Sequence, residues 1–338
     1  MKKNVSNNYL AEMAFCRPIL ILLLLLYHAF IIYIGEWSAP FGFVPNEYYA
    51  WLARLSYSFM LPMFVFMSGY IWGWQCHTRG SKESLKELFN RKFVRLYLPC
   101  LFFGILYIAL LGDGEASLFR NIYQIVMGVG HLWFLPMLFL CFMTCWFLVQ
   151  IKVPSSYVFV GCVVLSVFSA IPQVPQRIAD TLLYFQFFYG GVIVSQQRVF
   201  LEQKANLSLI VPLWVLFLVV FVLLSVLSDH VDSIVLWTSL MDDILLVACR
   251  ILYAWLGLIS LYLTALYICR EHQLPQLYIK VGKYCMGIYI FQQFILKILY
   301  YHTDFMVNIY PLFVPWIALG ISLFFSILLT FMFKKTRL

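Results

Sequence analysis

The sequence predicts an all-α protein, a polytopic membrane helix bundle of about ten transmembrane helices with both termini on the cytoplasmic side. Three observations predict it. Aliphatic, aromatic and sulfur residues fill 63% of 338 positions, and charged residues only 11%, where a soluble domain carries roughly 25%. A soluble core of this size has no room for so much apolar surface. The apolar residues fall into runs of about 17–25 residues, the length that crosses a hydrocarbon layer ~30 Å thick. Cations gather in alternate connections, as they do in multi-pass proteins. No connection is long enough for a further domain, so 1–338 reads as one membrane-embedded unit.

The first apolar run, 15–34, follows Lys2 and Lys3. That pattern mimics a signal peptide, but no small-residue cleavage site follows Tyr27–Gly35, and the run reads as a retained helix. The second, 54–74, contains Pro62, which frees a backbone carbonyl, and Gly69, which permits close helix approach. The third, 93–111, is entered through Arg91, Lys92 and Arg95. The fourth, 132–150, opens at His131, a candidate to line an external entrance, and at Trp133, an aromatic-belt position. The remaining runs are 155–171, 181–197, 207–228, 246–268, 282–300 and 309–333, of which 155–171 is short and stops at Pro172.

With the termini inside, the inner segments carry Arg79, Lys86, Arg91, Lys92, Arg95, Arg198, Lys204, Arg270, Lys280, Lys283, Lys334 and Lys335 among others. The outer loops carry only Arg54, Arg120, Arg177 and Arg250, with Lys297 near a helix end. This asymmetry sets the orientation and accounts for the net charge of +8, so no nucleic-acid partner is expected. The nine cysteines have no metal-ligand spacing; they are expected as free thiols, and no metal is expected.

Ionisable residues inside spans are costly and point to function by default. Arg17 and His28 are eleven residues apart in the first span, which returns a helix to within about 20° of one face and rises roughly 16 Å. One stripe therefore carries a cation at the cytoplasmic mouth and an imidazole near mid-membrane. Arg17 snorkelling to headgroups is the plain alternative. For His28 it is a hydrogen bond to a neighbouring helix; the functional reading is proton transfer, which suits an ordinary pKa near 6.5. Arg91, Lys92 and Arg95 are spaced to share a helix face; membrane anchoring and phosphate binding explain them equally well. Glu36 reads as a solvated loop carboxylate, with proton relay as its functional alternative.

Taken together, the motifs resemble the acyltransferase 3 family of bacterial membrane O-acyltransferases. Arg17 and His28 have its Arg-x10-His spacing. Pro62-Met63-Phe64-Val65-Phe66-Met67-Ser68-Gly69-Tyr70 is similar to its second-helix pattern. The stretch through Arg95 and Pro99 is similar to its basic region, His131-Leu132-Trp133-Phe134 to its His-Leu-Trp-Phe segment, and Gly287-Ile288-Tyr289-Ile290 to a late Gly-Ile-Tyr motif. Two positions depart: the basic motif reads Lys92-x-x-Arg95, and Gln292 stands where many members have histidine.

The resemblance implies an acyl-coenzyme A donor, usually acetyl-CoA, and a glycan or lipid-linked sugar as acceptor, with the bilayer around both. It implies that Arg17, Arg91, Lys92 and Arg95 hold the donor's phosphates and that His28 is catalytic, as general base or as acyl carrier. A transporter or flippase for lipid-linked sugars or anionic solutes needs the same basic mouth and buried polar groups. It should also show symmetry-related broken helices, and no internal repeat is visible. A scaffold without chemistry leaves the Arg17–His28 stripe unexplained.

Overall fold

The computed structural model describes residues 10–335 except 80–82, 113–116, 152 and 232–238; Lys2 and Lys3 thus lie outside the described residues. The chain runs as α1 (Ala11–Phe30), α2 (Glu47–Arg79), α3 (Leu85–Lys92), α4 (Leu98–Leu111), α5 (Leu118–Met127), α6 (Phe134–Gln150), α7 (Ser155–Ser166), α8 (Gln176–Gln196), α9 (Arg198–Lys204), α10 (Leu207–Val231), α11 (Ser239–Glu271), α12 (Gln276–Gly282), α13 (Cys285–Tyr301), α14 (Phe305–Asn308) and α15 (Val314–Lys335). All ten expected runs fall on helices. Eight described helical stretches are long and apolar enough to cross a membrane, and two shorter apolar ones, Ser155–Ala170 and Cys285–Tyr301, complete the set. Two of the long helices begin well before their apolar runs, at Glu47 and Ser239, where polar residues extend the turns past the apolar stretch.

Close packing rests on small residues, since lipid offers no hydrophobic drive between helices. A Cβ on Gly69 of α2 would lie 1.9 Å from the Phe188 carbonyl oxygen of α8, and one on Gly191 of α8 would lie 2.2 Å from that of Phe66. Backbone therefore meets backbone in both directions at this pair. Hydroxyls in the interior bond back to their own helices: Ser68 to the Phe64 carbonyl at 3.0 Å, Ser260 to Leu256 at 2.7 Å, Thr264 to Ser260 at 2.7 Å. That satisfies their polarity without a partner helix. The nine cysteines are free, as expected.

α1 is the central element. Met13, Cys16, Leu20, Leu24 and Leu25 are buried, and the helix packs on α2, α11, α12, α13 and α15. Its far end tightens into a 3-10 turn, Ile31–Ile34. Near its start Glu12 is 1% exposed and pairs with Arg198 at 2.8 Å. Tyr70 donates to the same carboxylate at 2.9 Å, and Tyr262 donates to Tyr70 at 3.3 Å. This network ties α1 to α2, α9 and α11.

Candidate active site

His28 lies in the last turn of α1, 6% exposed. It is 17 of the 23 residue steps from Ala11 to Ile34, so it sits past the middle of its span, about midway between the centre and the far end. It lines a cavity of about 230 Å³ with Leu24, Glu36, Trp37, Tyr57, His131 and Gln293. The α1 helix from Arg17 to His28 is unbroken despite Pro18, and the rise of about 16 Å stands.

The second imidazole in this cavity is His131. It comes from the 3-10 turn Gly130–Trp133 that opens α6, is 4% exposed, and its ring centroid is 6.3 Å from that of His28, edge to face. Gln293 of α13 fixes it. The Gln293 Oε1 accepts the His131 backbone N–H at 3.1 Å and stands 2.7 Å from Nδ1, while Nε2 stands 2.9 Å from the Ile290 carbonyl. The Tyr289 hydroxyl donates to the His131 carbonyl at 2.6 Å. Both ring nitrogens of His131 thus face acceptor oxygens, and a neutral ring donates its one N–H to one of the two. The Leu24 carbonyl acts on the His28 ring, yet no hydrogen bond of ordinary geometry reaches its buried Nδ1. Of the two rings, His28 is the one left for a ligand.

The expected cations divide. Arg91 is paired with Glu83 at 2.6 Å. Lys92 holds its ammonium 3.4 Å over the Phe142 ring of α6. Arg95 is exposed on a π-helical turn, Phe93–Tyr97, which offsets it from the face that uniform α-helical spacing implies. Arg17 is exposed, and α1 meets α12, α13 and α15 at that end; Arg17 and Lys334 both act electrostatically on the Cys285 sulfur. So Arg17 and His28 share a helix, and Arg91 and Lys92 contact Glu83 and Phe142.

His131 reads as a boundary residue in sequence, and the packing of the Gly130–Trp133 turn on α13 brings it to His28. Gln293 carries no sequence signal that separates it from its neighbour Gln292. Gln292 is fully buried, and neither polar atom of its amide has a partner. A larger cleft of about 460 Å³ lies between α6, α7 and α8. Its lining is apolar except for Thr144, Thr181 and Cys162, and none of these is placed to exchange protons with a base, so the smaller cavity is the chemical candidate. Among the described residues no group of three or more His, Cys, Asp or Glu could hold a metal ion.

The acyltransferase 3 family model, described as an acyltransferase domain, matches residues 10–335. The chain belongs to that family and is a multi-pass membrane acyltransferase. No curated protein and no solved structure matches it.

Proposed function

We propose that the chain is an O-acetyltransferase of the bacterial inner membrane, moving acetyl from cytoplasmic acetyl-CoA to a hydroxyl of a cell-surface glycan or its lipid-linked precursor. The observation that carries the reading is His28: a buried imidazole with an unbonded nitrogen, in a cavity, on the same helix as Arg17. A cavity of about 230 Å³ suits an acetyl thioester and the reacting end of a sugar, and falls below the size of sites that enclose whole ligands. The nucleotide accordingly stays at the basic mouth, where Arg17 offers its phosphates a charge-assisted contact. Arg95 adds exposed positive charge there, and Arg91 and Lys92 contribute in so far as they leave Glu83 and Phe142. The extended pantetheine arm then spans the ~16 Å along α1.

In this reading His28 is the general base. It takes the proton of the acceptor hydroxyl as the oxygen attacks the thioester carbonyl. The tetrahedral adduct collapses by breaking the C–S bond, and the imidazolium returns the proton to the departing thiolate. His131, held by Gln293, keeps the facing wall of the cavity in place.

The test supplies acetyl-labelled acetyl-CoA to inside-out vesicles and follows label into glycan, comparing the wild type with His28→Ala and Arg17→Ala. Loss of labelling in His28→Ala, and labelling recovered only at high acetyl-CoA in Arg17→Ala, is the expected result. Equal labelling in all three overturns the mechanism, and glycan moved without acylation favours a transporter.

A further inference from the structure

Beyond His28 the chain leaves the 3-10 turn through Gly35, whose φ of +75° is a left-handed conformation that side-chain-bearing residues rarely adopt. The turn folds the next two residues back over the cavity, and both Glu36 and Trp37 line it. The Trp37 ring is 6.2 Å from the His28 ring and inclined to it by only 25°. Tyr300 and Tyr301 support it from α13 at 6.4 and 6.3 Å, and the Lys297 ammonium sits 5.3 Å over its face. Glu36 is exposed, so the cavity meets solvent here, at the end of α1 opposite Arg17.

An aromatic platform beside a carboxylate, with a cation at its edge, matches one ligand chemistry well. The apolar C–H face of a pyranose lies on an indole, and its hydroxyls donate to a carboxylate, a charge-assisted bond stronger than a neutral one. The hydrocarbon tail of a lipid has no use for Glu36, and the donor's phosphates are repelled by it. We propose that Glu36 and Trp37 form the acceptor subsite, which takes a sugar ring from the extracytoplasmic side and presents one hydroxyl to His28. This rests on the acetyl-transfer reading above and adds to it the acceptor's residues and its side of entry. Donor and acceptor then reach His28 from opposite faces of the membrane, so neither has to leave before the other binds.

The experiment is steady-state acetyl transfer by the full-length protein in nanodiscs, with acetyl-CoA as donor and methyl glycosides of common hexoses as soluble acceptor probes. Trp37→Ala, Trp37→Phe, Glu36→Gln and His28→Ala are compared, with thermal unfolding of each as a check on folding. Trp37→Ala should raise the apparent KM for glycoside by about three- to tenfold, from the worth of an aromatic contact, and leave the KM for acetyl-CoA unchanged. Trp37→Phe keeps a stacking face and should recover most of the loss. Glu36→Gln should raise the glycoside KM by roughly tenfold. Wild-type glycoside KM values in both Trp37→Ala and Glu36→Gln overturn the subsite, as does a parallel rise in both KM values. Full activity in His28→Ala is a separate outcome, which overturns the acetyl-transfer reading itself.

Discussion

Two adjacent glutamines of α13 should answer oppositely to the same substitution. Gln293, 3% exposed, accepts two hydrogen bonds that orient His131, at 3.1 and 2.7 Å. Gln293→Leu removes the acceptor and leaves a buried backbone N–H and a ring nitrogen without it. Hydrogen bonds inside membrane bundles average about 0.6 kcal/mol and reach about 1.7, so two of them amount to about 1–3 kcal/mol. If that energy holds His131 against the cavity, its loss lowers kcat by about fivefold to a hundredfold, at 1.36 kcal/mol per tenfold. Gln292 is buried with neither amide atom partnered, so Gln292→Leu removes a desolvated polar group at nearly constant volume and should raise Tm. Gln293→Glu keeps an oxygen at the same place and should retain more activity than Gln293→Leu. Acetyl transfer and thermal unfolding of the purified variants measure both effects. Wild-type turnover by Gln293→Leu, or equal damage from Gln292→Leu, would refute the assignment of Gln293 as the residue that positions His131.

Three further outcomes are expected. Gly69→Ala forces α2 and α8 apart, since its Cβ would sit 1.9 Å from a carbonyl oxygen; overpacking of this kind costs about 1–3 kcal/mol. Gly320→Ala meets nothing within 4 Å and should leave Tm unchanged or raise it, which makes it the paired control for a melt in detergent. Glu12→Leu strips Arg198 and Tyr70 of their shared carboxylate. Breaking a buried ion pair from one side costs about 3–5 kcal/mol, read as a Tm several degrees lower than that of Glu202→Leu. Arg17→Ala should raise the KM for acetyl-CoA by about tenfold, the scale of a bond between charged groups. Arg91→Ala should change it less, because Arg91 is already neutralised by Glu83 at 2.6 Å.

The helices and their order were legible because a membrane span is written in composition, and α1's polar stripe was legible because Arg17 and His28 share one helix. What crosses between helices was not. His131 sits at the edge of an apolar run, where the sequence offers it an external entrance but no partner, and its approach to His28 depends on how the Gly130–Trp133 turn packs on α13. Gln293 and Gln292 differ by one residue and thus by about 100° of rotation, and no periodicity distinguishes a useful glutamine from an idle one. Glu12 was hidden among the first polar residues, although it is as buried as any aliphatic of α1. The basic trio was read on uniform α-helical spacing, whereas a π turn, Phe93–Tyr97, lies between Lys92 and the residues that follow it.

Where polarity remains unsatisfied in an apolar bundle is itself informative. Most interior hydroxyls bond back to their own helix, and the Glu12 carboxylate has three polar contacts. A few buried atoms do neither, and two of them, His28 Nδ1 and the Tyr107 hydroxyl, flank His131, whose ring centroid is 6.3 Å from the first ring and 6.4 Å from the second. An unpaired polar group in such surroundings costs stability, and the same helices could carry leucine at these positions with less penalty. Structures tolerate such costs chiefly where function needs them. Of the residues that carry such atoms, His28 is the one that lines the cavity bordered by Glu36 and Trp37, so the cost falls where the Arg17–His28 spacing already placed the chemistry.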